Sequence, residues 1–276
     1  MDLGRLTEAV AHARRVAAVF ADPGQESHGG HSFSILGMVH RLLGEFGPAL
    51  RWYSRALSRY REIGDTTGEA IALRGLAEIH CDTGELAAAL ELGQASLRLA
   101  REIGHDIEEA ETLLVLALVH QSRSDPPAAD RDSRQALALA RQMSNRRLVA
   151  ESLLCRALGY RSAGGHRAAD TCLRDALRIA RAASYRLLEG RVLTASAANA
   201  LAAGDLARAV RDGEQALAIH GATGHRPGAA DTHAVLGRAS RRAGADVAAA
   251  DHDRQARALY AWMGLRADPA HGFVAV

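Results

Sequence analysis

The chain has 276 residues, a formal net charge of +2, and 48% hydrophobic but only 4% aromatic residues. Its core must therefore be built from Ala, Leu and Val, which suits closely packed helices and argues against strands rich in rings and β-branched side chains. A balance of 34 Lys+Arg against 32 Asp+Glu excludes the basic excess of a nucleic-acid binder, and the complete absence of lysine excludes Schiff-base chemistry, a GxxxxGK[ST] phosphate loop and a kinase-type lysine.

A repeat organises the whole chain. Stepping by 40 from Gly4 lands on Gly44, Gly84, Ser124, Gly164, Gly204 and Gly244, and five residues later on Ala9, Ala49, Ala89, Ala129, Ala169, Ala209 and Ala249. A second turn series follows at Gly24, Gly64, Gly104, Ser144, Ser184, Gly224 and Gly264. Between these marks apolar residues keep helical spacing, as in Leu73, Leu76, Ala77, His80 and in Leu113, Leu116, Ala117, His120. Each period is thus two helices, A and B, closed by turns that need φ > 0 or a small residue. In chain order the predicted elements are a lone helix B within 1–24, full helix pairs over 30–69, 70–109, 110–149, 150–189, 190–229 and 230–264, and a tail at 265–276.

Local chemistry supports the boundaries. Asp65 and Thr66 are N-cap candidates for the helix that follows Gly64. The alanines, together with Gly37, Ala77, Ala117, Ala157, Ala197 and Gly237, mark crossings where helix axes approach closely. Residues 2–21 lack the first helix of their pair, and the last pair is followed only by LRADPAHGFVAV. Open solenoid ends need caps, so the expectation is a piece of a longer protein, or ends that pair with other chains to give a homo-oligomer.

At this point the residues carry a resemblance. Phe33-x2-Leu36-Gly37-x2-His40 followed by Ala49-x3-Tyr53 closely resembles the tetratricopeptide signature W-x2-L-G-x2-Y…A-x3-F. The small residue expected later in helix B stands at Ala56, Ser96, Ala136, Ala176, Ala216 and Ala256. The chain departs from the family in its 40-residue period and in Gly or Ser where the usual terminal Pro stands. The resemblance implies an all-α, right-handed superhelical solenoid of stacked antiparallel helix pairs, forming one domain. The long-period form is similar to the sensor regions of bacterial regulators, including antibiotic-regulatory transcription factors with NTPase cores. The implied function is a non-catalytic scaffold that binds a protein or peptide in its concave groove. Two alternatives remain open: a ligand-sensing domain for a small molecule or signalling peptide, with Arg161 and Arg191 as anion contacts, or self-association through the open ends.

Helical geometry sorts helix A into three faces. In the third pair, Leu113, Leu116, Ala117 and His120 face helix B, and Thr112, Val115 and Val119 face a neighbouring pair. The remaining stripe, Glu111, Leu114, Leu118 and Gln121, corresponds to the groove of tetratricopeptide proteins, followed one period later by Glu151, Leu154, Leu158 and Arg161. Its other members are Arg74 and Glu78, then Thr194 and Ala198, and then Ala234, Arg238 and Arg241, with Arg242 beside them, and Arg191 joins the candidate groove residues as an anion contact. Two readings of the leucines are open: a mid-groove patch for the apolar face of a peptide, or core. Arg238, Arg241 and Arg242 read either as a clamp for a carboxylate or phosphate or as a solvated face.

Other chemistry finds little support. His40, His80 and His120 lie on successive helices, too far apart to share one zinc ion, and His28 and His31 in the SHGGH connector are two ligands without a third. Asp130/Asp132 and Asp251/Asp253 are i,i+2 pairs, which diverge on a helix and read as solvated acids. There is no HExxH, no GxSxG and no glycine-rich phosphate loop, and Gly29 and Gly164 begin glycine pairs read as connectors. The expectation is therefore no enzyme, no cofactor and no metal. Three cysteines without CxxC spacing, Cys81, Cys155 and Cys172, fit reduced thiols in the cytoplasm. The start, MDLGRLTEAVAHARRVAAVF, has no continuous apolar segment of a signal peptide, and no apolar run reaches the ~18 residues of a membrane span.

Overall fold

The computed structural model describes residues 29–265. The half repeat expected in 1–24, with Ala9, and His28 and the tail beyond Leu265 lie outside the described residues. Every described element is an α-helix: α1 (Gly29–Leu42), α2 (Phe46–Ile63), α3 (Thr66–Asp82), α4 (Leu86–Glu102), α5 (Asp106–Ser122), α6 (Pro126–Gln142), α7 (Arg146–Ser162), α8 (His166–Ala182), α9 (Arg186–Ala203), α10 (Leu206–Thr223), α11 (Arg226–Arg242) and α12 (Asp246–Trp262). Within the described residues the helices fall into two compact units, 29–144 with α1–α6 and 145–265 with α7–α12.

Both units follow one plan. In the first, the hairpins α1/α2, α3/α4 and α5/α6 stack so that α2 meets α3 and α4 meets α5, while the odd helices α1, α3 and α5 lie side by side. In the second, α7/α8, α9/α10 and α11/α12 stack likewise, with α7, α9 and α11 side by side. This is the helical solenoid that the 40-residue period predicts.

The turns explain the period. All the glycines of both series from Gly44 to Gly264 have φ between 65° and 86°, and Ser124, Ser144 and Ser184 adopt the same left-handed conformation at 59°, 54° and 57°. At Gly84 the closing bonds are Gly84 N–H to Cys81 O at 3.2 Å and Glu85 N–H to His80 O at 2.8 Å, which satisfy carbonyls the helix leaves open. A serine there carries strain of ~1 kcal/mol that glycine avoids, partly offset by the greater chain entropy that glycine loses on folding. The triple variant Ser124→Gly/Ser144→Gly/Ser184→Gly is expected to gain ~1 kcal/mol or more, read as a higher urea midpoint at unchanged slope. At the opposite helix ends Asp65, Asp125, Asn145 and Asp205 each accept a bond from the backbone N–H three residues on, so Asp65 is the N-cap that its position suggested.

The small residues sit at close crossings. Ala49, Ala89, Ala169 and Ala209 are completely buried, and Ala129 and Ala249 nearly so. Ala89→Leu is expected to destabilise by ~1–3 kcal/mol through overpacking, and an unchanged denaturation midpoint would rule the crossing out as tight. One sequence reading is corrected: Gly29, Gly30 and His31 do not form a connector but lie inside α1. A Cβ on Gly30 would stand 2.7 Å from the Tyr60 ring, so this glycine admits an aromatic side chain rather than turning the chain. Gly164 is a turn residue as expected, with φ 76°.

Candidate functional site

The odd helices carry the predicted stripe, and the first unit gives it an ionic lattice. Arg74 on α3 donates from Nε to Glu108 Oε1 at 2.6 Å and from Nη1 to Glu78 at 3.0 Å, and its Nη2 pairs with Glu111 at 2.8 Å. Arg41 on α1 pairs with Glu78 at 3.3 Å and Asp82 at 3.1 Å. The predicted residues Arg74, Glu78 and Glu111 thus meet across α3 and α5. Four carboxylates against two guanidinium groups leave the face net negative.

Burial sharpens these interactions. It would lower both arginine pKa values, but Glu111, Glu108 and Glu78 raise Arg74, and Asp82 and Glu78 raise Arg41, so both stand above the ordinary value. Glu108 is only 3% exposed, and burial lifts its carboxyl above the usual range against the pull of Arg74. Tyr53, buried behind this face, is raised by burial and by Glu78.

The leucines lie deeper than their polar neighbours. Leu114 is buried and Leu118 half-buried in the first unit, with Gln121 half-buried at the end of the stripe. In the second unit Leu154 and Leu158 are 1% and 2% exposed. The accessible part of the stripe is therefore its charged residues. Glu151 pairs with Arg147 at 2.8 Å one turn away.

The arginines of the second unit divide sharply. Arg241 pairs with Asp253 of α12, and Arg242 donates to Leu201 O at 2.7 Å, closing the end of α9. These two are thus tied to the fold. Arg238 donates Nε–H to Ala234 O of its own helix at 3.2 Å and makes no ion pair among the described residues. Arg161, half-buried in the last turn of α7, has neither hydrogen bond nor ion pair there. Burial, and secondarily the charge of Arg238, lower its pKa against the opposing pull of Asp231. Arg191 is half-buried on α9, near enough to act on His220.

Behind this face lies a polar cluster of which the sequence stripe included only Thr194. Thr194 Oγ1 lies 2.7 Å from Thr232 Oγ1 and 3.0 Å from His220 Nε2, and the Nδ1 atoms of His220 and His225 meet at 3.2 Å. Two facing ring nitrogens require one donor and one acceptor, so the two rings are not both protonated at Nδ1. The His220 pKa is pushed down to about 4 by burial and then by Arg191, with the Gly190 carbonyl opposing. The sequence signal is Gly190 and Gly228: a Cβ on either would collide with the His220 ring. Arg41 was legible too, since stepping back by 40 from Arg161 through Gln121 and Cys81 reaches it.

Of the histidines set aside as metal ligands, the three at the 40-residue step each meet an acid five residues on. His40 pairs with Glu45, His80 with Glu85 at 2.9 Å, and His120 approaches Asp125 at 3.8 Å and Asp132 at 3.6 Å. Asp132 is buried beside His120 while Asp130 turns to Arg134. That pair diverges as expected, but only one member is solvated. Among the described residues no group of three or more His, Cys, Asp or Glu side chains is placed to hold a metal ion, and no helix is long and apolar enough to cross a membrane. Cys81, Cys155 and Cys172 are in no disulfide among the described residues.

Hairpins of equal length, turned by left-handed residues and stacked with their first helices side by side, define a helical-repeat protein. Residues 68–142 match the tetratricopeptide repeat family, and similar helix pairs recur on either side among the described residues, which form a helical solenoid. Comparison with curated proteins gives no match. Among solved structures, the Rap conjugation gene regulator of the plasmid pLS20 in complex with the Phr* peptide is similar with a TM-score of 0.76 at 12% identity, over 92% of this chain and 69% of that one. A Rap protein complexed with competence and sporulation factor gives 0.69 at 12% identity, over 94% and 87%. NprR in complex with its cognate peptide NprX gives 0.58 at 13% identity, over 93% and 82%. At such identities the likeness is one of fold.

Proposed function

We propose that this chain is a non-catalytic regulatory scaffold whose odd-helix faces bind a peptide or an extended segment of a partner protein. The observation that carries this reading is the Arg161/Arg238 pair: two charged donors on the predicted stripe, half-buried, with no acid of the described residues paired to them. A fold has no need to hold such groups unpaired, whereas a partner can supply what they lack. The Phr* and NprX complexes of the similar structures add support, since each of those proteins holds a peptide.

The buried leucines decide how to test this. Arginine at Leu154 or Leu158 would place a charge in the core and report only unfolding. Charge reversal at Glu111 would break its pair with Arg74. Gln121→Arg and Glu151→Arg, the latter breaking a pair with the exposed Arg147, alter the half-exposed stripe instead. A displayed random-peptide library selected on the purified protein is expected to enrich one motif, and calorimetry with the synthetic peptide should show at least one variant losing about tenfold in affinity at an unchanged melting temperature. No enriched motif, or wild-type affinity in both variants, would refute the face as the binding surface. Light-scattering mass over a concentration series run alongside identifies self-association as the competing use of the solenoid.

A further inference from the structure

The last described hairpin departs from the repeat at one place. Stepping back by 40 from His233 on α11 reaches Leu193, Leu153, Leu113, Leu73 and Phe33, and all of these are buried apolar side chains. The same step from His252 on α12 reaches Asp212, Cys172, Asp132, Leu92 and Trp52. In the first hairpin the two positions hold the stacked Phe33 and Trp52 rings, with centroids 5.5 Å apart. In the last hairpin two imidazoles stand there instead, with centroids 5.3 Å apart and planes tilted by 44°. Packing alone asks for a leucine at position 233, so the imidazole gives up apolar burial for a pair of facing ring nitrogens.

The Nδ1 atoms of His233 and His252 meet at 3.0 Å, and both rings are half-buried. One Nδ1 donates and the other accepts, so a single proton joins the pair. Burial, and after it the charge of His252, lower the His233 pKa against the pull of Asp251, which favours the neutral ring that a metal ion requires. Asp251 is itself paired with Arg254 at 2.5 Å. The other facing pair, His220 and His225, is closed to solvent at 1% and 6% exposure, with His220 Nε2 held against Thr194. Of the two pairs, His233/His252 is the one that solvent reaches.

We infer that His233 and His252 form a two-histidine site for a divalent transition-metal ion of tetragonal preference, Cu2+ above Ni2+, whose remaining positions are filled by water. Bonds of ~2.0–2.1 Å from one ion to both nitrogens, at their separation of 3.0 Å, subtend roughly 90–100°, the cis angle of a tetragonal site. A tetrahedral zinc ion would need the nitrogens ~3.3–3.4 Å apart. For the ion to enter, each ring turns about its Cβ–Cγ bond until both lone pairs point at it, and the shared proton passes to Nε2 of the ring that carried it. One N–H···N bond is exchanged for two nitrogen–metal bonds, with no net proton lost, and the ion bridges α11 to α12. Two side-chain ligands make an exchangeable chelate rather than a closed structural centre, in keeping with the lack of any group of three ligating side chains among the described residues. The site is independent of the peptide-binding reading.

The test titrates Cu2+, Ni2+ and Zn2+, each alone, into the metal-stripped full chain and into His233→Leu, which restores the residue that four other hairpins carry at this position. Wild-type protein is expected to take up one Cu2+ at its tightest site, about tenfold or more tightly than the variant, with Ni2+ and Zn2+ weaker. Electron paramagnetic resonance of the copper-loaded wild type should show coupling to two imidazole nitrogens, reduced to one or none in the variant. Equal affinity and equal spectra in the two proteins would place the copper on other histidines and overturn the inference, as would no binding at all. Zn2+ held as tightly as Cu2+ would overturn the tetragonal assignment. If His233→Leu does not fold, His252→Gln is judged by the same readings.

Discussion

Arg74→Met is expected to lower the unfolding free energy by ~3–5 kcal/mol, the loss typical of removing one partner from a buried ion pair. The magnitude follows from what Arg74 leaves behind. Glu108 is 3% exposed, and Glu78 and Glu111 face the same guanidinium. Without it, three carboxylates share a half-buried place, and Glu78 keeps Arg41 as a cation. Glu108 already has a raised pKa from burial, and losing Arg74 removes the group that holds it down. Its folded-state proton affinity then rises further above the unfolded value, so the variant regains stability as pH falls and loses it as pH rises. Urea unfolding should show the deficit shrinking between pH 7.5 and 5. Arg74→Met/Glu108→Leu should recover part of the loss, because it removes the stranded charge as well. A deficit below ~1 kcal/mol, typical of exposed pairs, would mean that the lattice is solvated in solution.

Acid should weaken the fold through His220. Its folded pKa lies at about 4, against 6.5 for the ordinary imidazole. As pH drops below 6.5 the unfolded chain takes up a proton that the folded chain refuses until about pH 4. Stability contributed by the neutral ring is therefore complete above pH 6.5 and lost progressively as pH falls toward 4, in all ~3 kcal/mol. His220→Gln removes this titration and leaves the other groups in place. The wild type should lose ~3 kcal/mol more than the variant between pH 7 and pH 4. Parallel stability curves would show that His220 titrates normally.

Much of the fold was legible because it is local. A left-handed residue, an N-cap and an apolar stripe act within one or two turns of helix, so a 40-residue step through the sequence exposes each of them in register. The two glycines at the start of α1 misled that logic. Gly–Gly reads as a turn wherever only backbone freedom is considered, and nothing local reveals that Tyr60 needs the space at Gly30. Of the stripe, Arg74, Glu78 and Glu111 come together. Periodicity does not say how deeply a stripe residue sits, so the leucines could be placed by it but not assigned to surface or core.

The sequence by itself determined the helix pairs, their lengths, the turns that close them and the small residues at their crossings, because each depends on the chain's own geometry over a few residues. Tertiary structure alone decided the pairing of charges. Arg74 and Glu108 are 34 residues apart, and Thr194 and Thr232 are 38 apart. Whether such groups meet depends on how far one helix is rotated against the next, and a rotation of about 100° carries a side chain to a neighbour's position on the helix. Such rotation gives Arg74 three carboxylates, while Arg161 and Arg238 make no ion pair among the described residues.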